Sequence, residues 1–180
     1  MEKIKAEIMD EAAMNRALTR MAHEIAERNH GTEDIVLVGV LRRGKELARR
    51  LAKAIERFEG VEIPCGELDI GHWRDDLGSA SDMPVLRKAE LPFPIVNKKV
   101  VLVDDVLYTG RTVRAAIEAI FAMGRPKAIQ LAIMIDRGHR ELPIRADYVG
   151  KSIPTSLQEK VSVRIPPYDS ETGVVLLEKN

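Results

Sequence analysis

The 180-residue sequence contains a single cysteine, Cys65, which excludes an intrachain disulfide and points to a reducing compartment. Aromatic residues are scarce at 4%, so a platform of rings for stacking unpaired bases is missing. Neither charge sign prevails. Twenty-eight Lys and Arg stand against 28 Asp and Glu, which excludes a global basic field and confines any nucleic-acid surface to a local patch. No stretch reaches the ~20 apolar residues that cross a bilayer, and Met1-Glu2-Lys3-Ile4 opens no run of the signal-peptide kind. The expectation is a cytoplasmic protein without a membrane partner. An ordinary globular balance remains, 45% hydrophobic and 31% charged, in a length suited to one domain over 1–180. Cys65 sits in an apolar stretch and is expected to be a buried structural thiol.

The pattern along the chain alternates strands with helices. Asp10 is a good N-cap, and Met14, Ala17, Leu18, Met21, Ala22 and Ile25 recur at helical spacing to about Arg28, before Asn29-His30-Gly31 stops the helix. Ile35–Val40 is continuously apolar apart from Gly39, as in a strand buried on both faces. Leu41-Arg42-Arg43-Gly44 turns into a second helix with a stripe of Leu47, Leu51, Ile55 and Phe58, ended by Gly60. Pro64–Ile70, Val100–Val103 and Ile129–Ile135 read as further strands, and Thr112–Met123 as a helix closed by Gly124. Val161–Ile165 and Val174–Leu177 suggest a short antiparallel pair. Gly71 to about Pro94 has no sustained periodicity and exceeds the usual connection length, which predicts a mobile active-site flap. The fold class is α/β, with a central mostly parallel sheet flanked by helices. Ligands on such sheets sit beyond the carboxyl ends of the strands.

Most of the chemistry lies in Val100-Val101-Leu102-Val103-Asp104-Asp105-Val106-Leu107-Tyr108-Thr109-Gly110-Arg111-Thr112. Four apolar residues end a strand, two acids follow, and a short loop opens a helix. A helix N-terminus offers unpaired N–H groups and the positive end of a dipole, which suits a phosphate. Gly110 permits close backbone approach. Thr109 and Thr112 add hydroxyl donors, and Asp104 and Asp105 can accept from ribose hydroxyls or hold magnesium. An acidic pair alone, or a Thr-Gly turn alone, is common surface chemistry. Their combination at this spacing is not. Neither G-x-x-x-x-G-K-S/T nor G-x-G-x-x-G is present, so no Walker lysine is involved.

This segment resembles the phosphoribosyl pyrophosphate (PRPP) motif of type I phosphoribosyltransferases: four apolar residues, two acids and a Thr-Gly-Gly/Arg-Thr turn. Three further segments narrow the resemblance. Asp136-Arg137-Gly138-His139-Arg140-Glu141-Leu142-Pro143-Ile144-Arg145-Ala146-Asp147-Tyr148-Val149-Gly150-Lys151, continued by Pro154-Thr155-Ser156, resembles a hallmark of the PyrR family of pyrimidine-operon attenuation regulators and uracil phosphoribosyltransferases. Ala17-Leu18-Thr19-Arg20 with Ala22-His23-Glu24-Ile25 is similar to its first helix, and Arg74-Asp75-Asp76-Leu77 to the start of its flexible loop. The similarity runs from about residue 8 to 160.

The resemblance implies a single-domain type I phosphoribosyltransferase fold with a flexible loop at about 71–94 and a small hood. It implies the reaction uracil plus PRPP to UMP and diphosphate, with Mg2+. It also implies binding of pyrimidine-operon leader mRNA under control of the uridine nucleotides UMP and UTP. By that resemblance Asp104, Asp105 and Arg74 are catalytic: the two acids contact the ribose and, through substrate and water, Mg2+, while Arg74 reaches the pyrophosphate from the flap. Val106, Leu107, Tyr108, Thr109, Gly110, Arg111 and Thr112 wrap the 5-phosphate. Leu41, Arg42, Arg43 and Gly44 hold pyrophosphate, often through a non-proline cis peptide, and the base lies near Arg137, Lys151 and Ile153. The implied RNA surface is Thr19, Arg20, His23, Arg28, His139, Arg140, Arg145 and Lys151. The family suggests homodimers, also paired into homotetramers. Two places depart from its pattern: Arg42 stands where a threonine is usual, and Gly71-His72-Trp73 where Thr-Leu-Tyr is usual. Three readings stay open: a bifunctional attenuator and enzyme, an enzyme without RNA binding, and a UMP-sensing RNA binder with negligible catalysis. The segment 136–151 argues against a purine or orotate enzyme of the same fold.

Overall fold

The computed structural model describes residues 2–71 and 91–178. Along them run β1 Lys3–Met9, α1 Glu11–Arg28, β2 Ile35–Val40, α2 Arg43–Glu59, β3 Cys65–Leu68, β4 Lys99–Leu107, α3 Arg111–Met123, β5 Ala128–Asp136, β6 Tyr148–Ser152, β7 Glu159–Arg164 and β8 Gly173–Glu178. Five strands form a parallel sheet in the order β3-β2-β4-β5-β6, and three form a second sheet in the order β1-β8-β7, both of whose pairs are antiparallel.

The local rules explain the elements. Asp10 caps α1, its Oδ1 accepting from the Ala13 amide at 2.7 Å. Gly60, at φ 70, closes α2 in the left-handed region. Side chains alternate across the parallel sheet. Ile35, Leu37, Val101, Val103, Ala132 and Met134 face α1 and α2, in a cluster that continues into Val161, Val163, Val174 and Leu176 of the small sheet. Val36, Val38, Val40, Val100, Leu102, Leu131 and Ile133 pack toward α3 on the other face. Each fully buried side chain of this size contributes about 1.5–3 kcal/mol.

The crossover from β2 through α2 leads outward to β3, whereas that from β4 through α3 leads the opposite way to β5. The chain therefore reverses direction between β2 and β4. Open α/β sheets bind ligands in the crevice beyond such a switch point.

Several expectations need correction. β1 joins the expected antiparallel pair as a third strand, and β6 extends the parallel sheet; neither was anticipated. Phe58 does not join the α2 stripe in the core; it is exposed and stacks on His23, with ring centroids 3.9 Å apart. The fourth stripe position faces the seam with α1, where a half-covered ring finds a partner. Cys65 is half-buried, and burial pushes its thiol up to about 11, which keeps it protonated and unreactive at neutral pH.

Candidate active site

β4 does not stop before the acids. The neighbouring β5 runs to Asp136, so ladder partners continue: Asp104 lies opposite Ile133 and Val106 opposite Ile135. Both acids thus stand on a strand end at the switch point rather than in a loop. The Asp105 amide donates to Asp104 Oδ1 at 2.9 Å and the Val106 amide to Asp105 Oδ1 at 2.8 Å. Asp104 is 7% exposed. Burial first, and the adjacent Asp105 second, hold its carboxyl well above the usual carboxylate range. A buried carboxyl in that condition gains from a hydroxyl partner or a cation.

Beyond Leu107 the chain bends into α3 through Gly110, whose φ of 95 suits glycine alone among common residues. No side chain caps α3; the Arg111 amide makes only a 3.3 Å contact with Thr109 Oγ1. The first-turn amides and the helix dipole are thus presented to an anion.

The loop after β5 straps this cradle in place. The Arg137 amide donates to the Leu107 carbonyl at 3.1 Å, and the Glu141 and Leu142 amides donate to the Thr109 carbonyl at 2.9 and 3.2 Å. Arg140 donates from Nη1 to the Tyr108 carbonyl and from Nε to the Ile144 carbonyl, each at 2.9 Å, and its Nη2 pairs with Asp136. Arg111 reaches Glu141 at 2.7 Å.

Across the crevice, the turn Leu41–Gly44 leaves β2 with a cis peptide between Leu41 and Arg42. Gly44 presses on the end of β4: a Cβ there would meet the Val103 carbonyl oxygen at 2.5 Å and Asp104 Cα at 3.2 Å. Glycine at 44 is what lets the turn lie against the acids. Arg42 is exposed. Arg43 forms a two-pronged pair with Asp169, Nε to Oδ2 at 3.0 Å and Nη2 to Oδ1 at 2.9 Å.

On the expected base side, Arg137 is 6% exposed, with its guanidinium carbon 4.0 Å from the centre of the Tyr108 ring. Its Nε and Nη2 donate to Thr155 Oγ1 and the Ser156 carbonyl at 3.2 and 3.0 Å. Ile153 is half-buried, its amide donating to the Asp136 carbonyl, and Lys151 is exposed. Arg74, with His72 and Trp73, lies outside the described residues, as does most of the expected 71–94 flap.

The expected RNA residues divide into two groups. Thr19, Arg20 and His23 lie together on the outer side of α1, and Arg20 reaches the open edge of β6, donating from Nη2 to the Val149 and Gly150 carbonyls at 3.1 and 2.6 Å. Arg28 pairs with Asp147 at 2.9 Å, and Arg145 and Lys151 are exposed close by in sequence. His139 and Arg140 belong instead to the strap, His139 Nε2 lying 2.6 Å from the Thr155 carbonyl. Arg140's donors are engaged in the cradle itself.

Sequence reasoning missed Asp169 and the role of Thr155, because nothing local marks them as partners of Arg43 and Arg137, 126 and 18 positions away. As for a metal, no group of three or more His, Cys, Asp or Glu side chains forms a cation site among the described residues. Asp104 and Asp105 can supply one or two oxygens, with the remainder of the shell from substrate and water, which is how magnesium is commonly held on phosphate substrates.

The model of the phosphoribosyl transferase domain matches residues 5–169. The "Bifunctional protein PyrR" of Pelotomaculum thermopropionicum is 60% identical over 99% of this chain and 98% of its own. Those of Caldicellulosiruptor bescii and Clostridium novyi are 58% and 55% identical over 98% of this chain, covering 96% and 99% of theirs. In structure the chain resembles a hypoxanthine-guanine phosphoribosyltransferase of Bacillus anthracis, with TM-score 0.72, 20% identity and 99% of each chain covered. It also resembles the hypoxanthine phosphoribosyltransferase of Trypanosoma cruzi, with TM-score 0.72, 20% identity and 99% and 92% covered.

Proposed function

We propose a bifunctional role from one premise: the chain belongs to the phosphoribosyl transferase domain family and, within it, to the PyrR family. It is a uracil phosphoribosyltransferase that also binds pyrimidine-operon leader mRNA under control of uridine nucleotides, acting as a transcriptional attenuator. The whole chain, 1–180, works as one phosphoribosyltransferase domain in the cytoplasm. No described helix is long and apolar enough to cross a membrane.

The chemistry follows from the crevice. The 5-phosphate of PRPP sits on the α3 N-terminus within Val106–Thr112. Asp104 and Asp105 accept from the ribose hydroxyls and place negative charge beneath a ring that becomes oxocarbenium-like as the bond from C1′ to the pyrophosphate oxygen breaks. Uracil N1 forms the new bond to C1′. The turn Leu41–Gly44 holds the leaving pyrophosphate, and Arg137, Lys151 and Ile153 border the base. Arg74, by the family resemblance, is the further residue assigned to the pyrophosphate. Asp104 and Asp105 would be the residues to hold a substrate-borne magnesium ion, which would supply charge neutralisation for the leaving group.

One observation carries this reading: a buried carboxyl, an uncapped helix N-terminus and a glycine turn converge at the switch point between β2 and β4. The RNA surface is the side built from α1 and β6, with Thr19, Arg20, His23, Arg28, Arg145 and Lys151. His139 and Arg140, also part of the proposed RNA surface, sit in the strap, where Arg140 holds the Tyr108 carbonyl of the nucleotide cradle.

Turnover of radiolabelled uracil with PRPP and magnesium tests the enzyme. Gel shift of a pyrimidine-leader stem-loop, with and without UMP, tests attenuation. Turnover without any shift would leave a salvage enzyme, a reading favoured by Arg20 and Arg28 already holding internal acceptors. A UMP-dependent shift without turnover would leave a nucleotide sensor, a reading favoured by exposed Arg42 in the pyrophosphate turn.

A further inference from the structure

The pyrophosphate turn bears an arginine whose side chain is held from the far end of the chain. Arg43 and Asp169 are 126 positions apart, yet meet through two parallel N–H to oxygen bonds of 3.0 and 2.9 Å. Their side chains retain 35% and 19% exposure, so the pair is partly shielded. Asp169 is itself fixed. Its Oδ2 also accepts from the Ile165 amide at 2.9 Å, and its own amide donates to the Ile165 carbonyl. Ile165 is fully buried in the core shared by both sheets. The carboxylate is therefore a rigid anchor, and the Arg43 hydrogen bond, foremost among its contacts, holds it below the usual carboxylate range. Arg43 is correspondingly raised, by the Asp169 bond first, and it feels Asp105 as well.

A guanidinium offers five donors in a fixed fork. The Nε–Nη2 edge goes to Asp169, and among the described residues no other hydrogen bond reaches Arg43. Its remaining edge, Nη1 with the second hydrogen of Nη2, keeps donors for an anion. We propose that Asp169 is a positioning residue for the pyrophosphate half of the reaction: it locks Arg43 so that the free edge serves the diphosphate group at the Leu41–Gly44 turn. This rests on the reading of the crevice as a phosphoribosyltransferase site. A guanidinium fixed before binding loses less rotamer freedom when the diphosphate arrives. Asp169 also offsets the charge of one of two consecutive arginines beside each other in the turn, keeping Arg43 from swinging into solvent.

The test uses Asp169→Asn, Asp169→Glu and Arg43→Lys in the full-length chain, with kinetics in both directions and titration calorimetry with UMP. Losing a charged hydrogen-bond partner predicts a KM for pyrophosphate, in UMP pyrophosphorolysis, that rises about tenfold or more in Asp169→Asn. The KM for PRPP rises with it. UMP, which has no diphosphate, binds within about twofold of the parent. Asp169→Glu restores part of the loss, because a carboxylate is again within reach. Arg43→Lys shows the same pyrophosphate defect, and adding Asp169→Asn to it makes matters no worse, since both act through one contact. An unchanged KM for pyrophosphate in Asp169→Asn overturns the proposal, and so does UMP affinity that falls in parallel with it, or additive losses in the double variant. If Asp169→Asn does not fold, Asp169→Glu and Arg43→Lys decide by the same split. Should the parent chain itself neither turn over uracil nor bind UMP, the failure lies with the function and not with Asp169.

Discussion

The cradle at the end of β4 and the outer side formed by α1 and β6 handle their polar groups in opposite ways. In the cradle, Asp104 is buried beside a second acid and the α3 amides have no side-chain cap, so groups are left wanting a ligand. On the α1 side, Arg20 bonds to Glu24 and to two edge carbonyls of β6, and Arg28 to Asp147, so the arginines are already satisfied. The first region holds polar groups in an unfavourable state, which the nucleotide proposed for that site would relieve. The second is a stable surface whose remaining charge meets phosphate by exchange rather than by need. A small-molecule site is thus expected to trade stability for affinity, and the RNA side to show little of either effect.

The sharpest way to break this contrast is Asp104→Asn. Uracil turnover should fall by about 100-fold or more, whereas thermal stability should rise by about 3 °C at neutral pH. The sign follows from linkage: the folded carboxyl titrates above its ordinary value of 3.8, so folding is penalised increasingly as pH climbs above that value, up to the folded pKa. The gain of the Asn variant should therefore shrink toward zero as pH is lowered to about 4, as thermal scans across pH would show. A destabilised Asn variant at neutral pH would contradict the account.

Gly110→Val comes next. At φ 95, with Leu142 and Ile144 side chains 3.4 Å from an added Cβ, the substitution distorts the phosphate loop by about 1–3 kcal/mol. UMP affinity by calorimetry should fall accordingly, with RNA binding in the absence of nucleotide spared. Arg140→Ala removes three of the bonds that hold the strap and should lower unfolding free energy by about 1–3 kcal/mol in urea titrations, weakening UMP binding as well. If it weakens only RNA binding, the strap belongs to the RNA side and the two regions do not differ in this way. Arg20→Ala should weaken the stem-loop by about 1 kcal/mol and leave UMP untouched. The smallest effect is expected from Phe58→Ala, about 0.5 kcal/mol on RNA through loss of the ring that supports His23.

Much of the framework was legible in the sequence, because buried strands and amphipathic helices announce themselves by period and by caps such as Asp10 and Gly60. β1 carries a strand signal of its own: Lys3, Lys5 and Glu7 alternate with Ile4, Ala6 and Ile8 in the two-residue period of a strand. β6 is five residues with a glycine in the middle, and only its pairing with β5 makes it a strand. The acid pair, the Thr-Gly turn and the turn at Leu41–Gly44 stand out in the sequence because each is a local pattern. What was not legible depends on the closed fold. The buried network of Asn29, Gln130 and Tyr148, the ring of Tyr108 under Arg137, and the hold of Asp169 on Arg43 each join residues that sequence distance separates. Arg140, an RNA contact by resemblance, also bonds to the Tyr108 carbonyl 32 positions away, a partner that depends on the strap folding over the cradle.

Calorimetric titration of the chain with UMP, set beside the same titration of Asp104→Asn, puts the cradle itself to the test. One saturable site per chain is expected in the parent and at least about a tenfold weaker one in the folded variant, since the proposed buried ribose acceptor is lost. Equal affinity in the two proteins, or no heat in the parent, would contradict this expectation.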